Sequence, residues 1–215
     1  SFQRTIDICL RYPSLELALG LHPVLIDQHQ PQDLIELNLL ISQHKPKAVG
    51  EIGLDFFEKQ LISGTLKEKQ IVFFTKQLII AKQHDLPLII HNRKAHDECI
   101  QLLSSENTRG GIIHAFNGNI QQAEKYASLG FALGFGGMLT FERSTKLRKL
   151  AEQIPLNAIV LETDAPDMTV SQHKGQRNSP EYLPYVQRAL ATIKGCSIDT
   201  IAETTSSNAK RILNL

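Results

Sequence analysis

Short apolar runs and longer stretches of helical periodicity alternate along the whole chain. LELALGLH (15–22) predicts the first strand, and a helix follows over about 31–44 with Leu34, Leu37 and Ile41 on one face. AVGEIGL (48–54) predicts a second strand. A long amphipathic helix over 65–84 then carries Ile71, Phe74, Leu78 and Ala81 at helical spacing. The pattern repeats with LPLIIH (86–91), GGIIHAF (110–116), FALGFGG (131–137) and NAIVLETD (157–164), with helices over about 95–104, 119–129 and 142–153 between them. A polar loop rich in Pro and Gly spans 165–180, and two helices close the chain near 181–194 and 198–213. The strands are almost continuously apolar, as strands of a parallel sheet covered on both faces are. The expectation is an α/β fold in one domain over residues 1–215, either a barrel or an open doubly wound sheet. No GxGxxG follows the first strand and no GxxxxGK[ST] occurs, so dinucleotide and P-loop sites are not predicted.

Polar residues interrupt this pattern at one kind of place. Glu51 lies in the second strand close to its C-terminal half, His91 ends the third, His114 lies near the end of the fourth and Asp164 ends the sixth. In a barrel all these ends face the same side, where active sites form. Burying an imidazole or carboxylate without a partner is costly, so four such groups at strand ends predict a shared site rather than four structural accidents. Imidazole binds borderline metals and carboxylates bind both these and harder ions. Glu51, His91, His114 and Asp164 are therefore the candidate metal ligands, with Asp164 also the candidate catalytic base. His22, at the end of the first strand, is a candidate for contact with substrate. Arg93 is a candidate clamp for a phosphate or carboxylate, and Asn117, with Gly118, is read as opening a helix whose N–H groups face an anion. Asp55 is expected to support the site from behind. Glu162 shares the face of Asp164 and is expected to ligate, to orient a base or to hydrogen-bond internally.

Composition changes this picture little. Among 215 residues, 42% are hydrophobic and 21% charged, and the formal net charge is +1. That balance does not mark a protein that grips many phosphates. An enzyme that neutralises a few phosphates with metal ions needs less positive charge. Three widely spaced cysteines without a CxxC pair point to a reducing, cytoplasmic setting. No apolar run is long enough for a membrane span.

The motifs ALGLHP (18–23), VGEIGLD (49–55), IIHNR (89–93), IIHAFNG (112–118), LGFGG (133–137) and LETDAPDM (161–168) resemble the TatD family of metal-dependent deoxyribonucleases and hydrolases. RNSPEYLP (177–184) and SSNAKRIL (206–213) extend the resemblance over essentially the whole chain, and the LETDAPDM and HNRKAHD stretches resemble the YjjV-type branch. The resemblance implies a distorted TIM (β/α) barrel and divalent cations, two per intact subunit (Zn, Mg or Mn). It also implies hydrolysis of phosphodiester bonds in DNA, with no membrane and no obligate protein partner. By motif, Glu51 corresponds to a bridging carboxylate, His91 and His114 to ligands of one ion, and Asp164 to the ligand and base at the other. The family's His-x-His on a first strand has no counterpart here: no two histidines are separated by one residue. Six strand–helix units against eight, and a start at Ser1, lead to the expectation that the first one to two strands are absent and the chain is N-terminally incomplete. A hydrolase of a small ester, amide or lactone, and a non-catalytic relic, stay open as alternatives.

Overall fold

The computed structural model describes residues 2–215; Ser1, on which the expectation about the start of the chain rests, lies outside the described residues. The strands are β1 (Ala18–Leu19), β2 (Ala48–Asp55), β3 (Leu88–Arg93), β4 (Gly111–Ile113), β5 (Phe131–Phe135) and β6 (Ile159–Leu161). The helices are α1 (Phe2–Arg11), α2 (Pro31–His44), α3 (Leu66–Gln83), α4 (His96–Glu106), α5 (Ile120–Ser128), α6 (Thr145–Gln153), α7 (Leu183–Lys194) and α8 (Ile198–Leu213). Strand order follows the chain, β1 to β6, so the predicted α/β alternation is present. The chain divides into two compact units, Ser1–Gly111 and Ile112–Leu215.

In the first unit β1, β2 and β3 run parallel, with Leu19 opposite Val49, Gly53 opposite His91 and Asp55 opposite Arg93. Val49, Ile52, Leu54, Leu88 and Ile90 are fully buried, as are Leu37 of α2 and Leu78 of α3. Each such side chain stabilises the fold by roughly 1.5–3 kcal/mol relative to exposure. The start of α2 follows from its sequence. Pro31 supplies a preset φ where no N–H is needed, and Asp33 accepts the Gln30 backbone N–H at 2.8 Å. Buried on the apolar face of α3 are two polar residues, Gln70 and Gln77, each 1% exposed. Gln77 receives the Leu21 N–H at 2.7 Å and donates to the Leu21 carbonyl at 3.2 Å. Gln70 does the same for both backbone groups of Asp55 and also donates to Leu61 O. These amides replace the ladder bonds that the strand ends lack.

In the second unit β5 and β6 are parallel, with Leu133 opposite Ile159 and Phe135 opposite Leu161. Ile112, Ala132, Val160 and Ile212 pack together, joined by Ala209 and Leu213 of α8. Lys194, the last residue of α7, donates to the carbonyls of Glu152 and Ile154 and so closes the C-terminal end of α6.

Several strands are shorter than the apolar runs predict. β1 covers only Ala18–Leu19, because Pro23 offers no N–H to a ladder and His22 instead accepts the Val24 N–H to start a 3-10 turn over Pro23–Leu25. β4 ends at Ile113 and Ala115 turns at φ 43°, while β6 ends at Leu161 and Asp164 turns at φ 56°. β3, by contrast, runs on through Asn92 to Arg93, whose carbonyl receives the Phe56 N–H at 2.8 Å. Among the described residues no helix is long and apolar enough to cross a membrane, and Cys9, Cys99 and Cys196 form no disulfide with one another.

Two outcomes follow for stability. Gln77→Leu leaves the buried N–H and carbonyl of Leu21 without partners, at about 1–3 kcal/mol each, and is expected to lower the urea midpoint; an unchanged midpoint would show the amide to be dispensable. Burial pushes the Lys194 ammonium below its ordinary pKa, against the smaller opposing influence of Cys196 and Glu152. The unfolded chain then holds this proton more tightly than the folded one. The stability from this group therefore rises with pH from the folded pKa up to 10.5. Lys194→Met is expected to lose that alkaline rise, read as the difference between wild-type and variant unfolding curves from pH 8 upward.

Candidate metal centre

In the first unit the site forms around a missing side chain. Gly53 sits at φ 141°, and a Cβ there would collide with the carbonyl of His91 on the neighbouring strand. Ligand atoms of His22, Glu51 and His91 lie within 4.8 Å of one another, each side chain half-buried. His22 and His91 meet edge to face, with ring centroids 4.5 Å apart. One carboxylate and two imidazoles are a donor set suited to a borderline divalent cation.

The hydrogen bonds sort these three residues by role. His91 Nε2 donates to Asp55 Oδ2 at 3.0 Å, so in the neutral ring Nδ1 carries the lone pair. His22 Nδ1 accepts the Val24 N–H at 3.2 Å, which places its proton on Nε2, 3.3 Å from Glu51 Oε2. The same ring cannot donate to Glu51 from Nε2 and ligate through it. His22 in this tautomer is a hydrogen-bond partner of Glu51, and Glu51 and His91 are the ligand-competent pair.

Asp55 supports this arrangement from behind. It is fully buried, and burial by itself pushes its carboxyl up. The hydrogen bonds from His91 and the Phe57 N–H, the charge of Arg93 and that of His91 when its ring is protonated outweigh burial and hold the group below its ordinary value. Arg93 reaches Asp55 Oδ2 at 3.5 Å and Glu58 at 4.0 Å, and lies 4.2 Å over the exposed Phe57 ring. Its side chain is 41% exposed, so the guanidinium is tethered but open to an anion.

The second unit repeats the device. His114, one residue beyond β4, places Nδ1 3.0 Å from Glu162 Oε2, and its Nε2 lies 3.7 Å from Asp164 Oδ2. Glu162 also accepts the Ala115 N–H at 2.8 Å. Gly134 on β5 makes room for that carboxylate, since a Cβ there would overlap it. Glu162, for which the sequence left several roles open, orients His114. Asn117 donates to the Ala115 carbonyl at 3.2 Å, and the helix expected to open at Asn117 and Gly118 begins only at Ile120. Asn119 is its N-cap, and its side chain takes the Gln122 N–H that an anion would otherwise meet.

Sequence reading missed Gln70 and Gln77. Their signal was present: two amides seven residues apart on the apolar face of α3. Glu162→Gln keeps an acceptor for Ala115 but sets an amide N–H against the proton on His114 Nδ1. It is expected to weaken divalent-cation binding by about 10- to 100-fold with little change in melting temperature. Calorimetric titration with zinc or manganese measures this, and unchanged affinity would contradict the role given to Glu162.

A family profile described as TatD related DNase matches residues 1–214. The chain is 36% identical over 220 residues to the metal-dependent hydrolase YjjV of Escherichia coli, covering 100% of this chain and 83% of YjjV. It is 39% identical over 199 residues to a metal-dependent hydrolase of Haemophilus influenzae, covering 91% and 76% respectively. The crystal structure of Escherichia coli YjjV superposes with a TM-score of 0.93, covering 100% of this chain and 82% of that one. A TatD family hydrolase from Entamoeba histolytica, 24% identical, shares the fold with a TM-score of 0.83, covering 98% and 80%. The polar strand ends, the carboxylate-held imidazoles and the match along the chain agree: this protein belongs to the TatD family of metal-dependent hydrolases.

Proposed function

We propose that this hydrolase cleaves phosphodiester bonds, with DNA as its substrate class. The reading is carried by the Glu51–His91 pair, whose imidazole is turned by Asp55 and whose ligand atoms fall within a metal-sized cluster. The family description and the open Arg93 guanidinium support the choice of substrate. Glu51, His91, His114 and Asp164 are the residues that would hold divalent cations (zinc, magnesium or manganese), two per subunit. A bound cation of this kind polarises a phosphoryl oxygen and brings the pKa of water toward neutrality.

The protein's own groups do the rest. Asp164 accepts the proton of the attacking water. Glu162 fixes the His114 ring, and Asp55 fixes the His91 ring. His22, by its Nε2 proton, steadies Glu51; it also borders an open cleft of about 510 Å³ walled by Leu19, Gly20, His29 and Asp33, where a substrate moiety fits. Arg93 meets a phosphate of the substrate, and Asn117 contributes at the rim of the loop after His114.

The test is incubation of the protein with end-labelled single-stranded DNA and each of magnesium, manganese and zinc. Cleavage is expected with at least one metal, and Asp164→Asn is expected to reduce turnover by about 100-fold or more with a melting temperature close to wild type. No cleavage of DNA by protein shown to hold metal would remove the substrate assignment. Removing the metal is a separate check. A ligand present at about 100 times its Kd stabilises by about 2.7 kcal/mol, so chelation is expected to lower the melting temperature by about 5–10 °C, reversed on adding metal back.

A further inference from the structure

Asp164 lies three residues beyond the end of β6, in the left-handed region at φ 56°, with no ladder to hold it. Its loop is gripped by a residue 14 positions further along the chain. Asn178 is 1% exposed. Its side-chain NH2 donates to the carbonyl of Thr163 at 2.6 Å and to that of Asp167 at 2.6 Å. Its backbone N–H donates to the Pro166 carbonyl at 2.9 Å, and its side-chain oxygen accepts the Ser179 N–H at 2.9 Å. Inside the segment so gripped, the Asp167 N–H closes a turn onto the Asp164 carbonyl at 2.8 Å, and the Ala165 N–H meets Thr163 Oγ1 at 3.3 Å. The carbonyls just before and just after the turn thus converge on one NH2 group. Both N–H donors of the amide are used and its oxygen accepts, which fixes its orientation.

We infer that Asn178 is the positioning residue of the Asp164 carboxylate. A non-glycine residue with positive φ persists only where its surroundings over-determine it. Here the Asn178 amide, by fixing both flanks of the turn, keeps the Asp164 backbone left-handed and its carboxylate within 3.7 Å of His114 Nε2. Released from the clamp, the backbone relaxes toward the right-handed region and the carboxylate swings away. An aspartate at this position has the same shape but no N–H to give: one of its oxygens still accepts the Ser179 N–H, while the other is set against the carbonyl oxygens of Thr163 and Asp167. The inference rests on the assignment of Asp164 to the reaction, and the test separates the two.

Asn178→Asp and Asn178→Ala in the full chain are compared with wild type by three readouts. Hydrogen exchange of the segment 163–169 is expected to speed up. Affinity for manganese or zinc is expected to fall by about 10- to 100-fold. Turnover of the probe bis(p-nitrophenyl) phosphate is expected to fall likewise, in kcat with KM changed by less than about 2-fold. In an Asp164→Asn background, adding Asn178→Asp is expected to change metal affinity and kcat no further, because the group it positions is already gone. Unchanged exchange across 163–169, or an equal loss with and without the Asp164 carboxylate, would overturn the inference and leave Asn178 a purely structural residue. If no phosphodiester is cleaved, the substrate proposal fails while exchange and metal affinity still decide the role of Asn178. Should Asn178→Asp not fold, Asn178→Ser, which retains one donor, carries the same comparison.

Discussion

A neutral imidazole presents its lone pair in a defined direction only while its other nitrogen is tied to a partner, and this constraint organises the chemistry of the chain. In the first unit Asp55 ties His91 through Nε2; in the second Glu162 ties His114 through Nδ1. The two pairs use opposite ring nitrogens and reach the same result, an imidazole fixed in tautomer and orientation before any ligand arrives. Each pair is set where a glycine has removed a side chain, Gly53 beside His91 and Gly134 beside Glu162.

Holding a carboxylate in the interior is expensive, and the fold meets that cost in detail. Asp55 is buried completely, yet accepts from His91 and from the Phe57 N–H and lies beside the Arg93 guanidinium. Its backbone is secured by Gln70. Removing any one of these partners would leave the others facing an under-compensated charge, which is why such sites are more sensitive to loss of a partner than surface ion pairs are. The glutamines of α3 connect helix packing to the site: the face of the helix that fills the core also carries the amides that set Leu21, next to His22, and Asp55.

Much of the candidate site was legible in the sequence because burial of a polar group is improbable without a purpose. Glu51, His91, His114 and Asp164 stood out for that reason, and so did Asp55. What misled was the assumption that an apolar run and a strand have the same length. NAIVLETD reads as one strand through Asp164, but the ladder stops at Leu161 and Asp164 depends on a loop. IIH reads as a strand end, but pairing continues to Arg93. The helix read as opening at Asn117 and Gly118 starts at Ile120, because Asn119 supplies the cap two residues later. Gln70 and Gln77 were readable as polar interruptions of an apolar face, but their targets were not, since one bond spans 56 residues.

The sequence by itself determined the α/β alternation, the parallel strands and the kinds of side chain that do the chemistry, because periodicity and residue type are local properties. Only the tertiary structure decided which nitrogen of each histidine is free, which carboxylate orients and which is left to act, and where Asp164 points. Those are settled by contacts between groups 36 or 47 residues apart, as between His91 and Asp55 or Ala115 and Glu162. A hydrogen bond selects a tautomer by the position of its partner, and no spacing along a chain encodes that position.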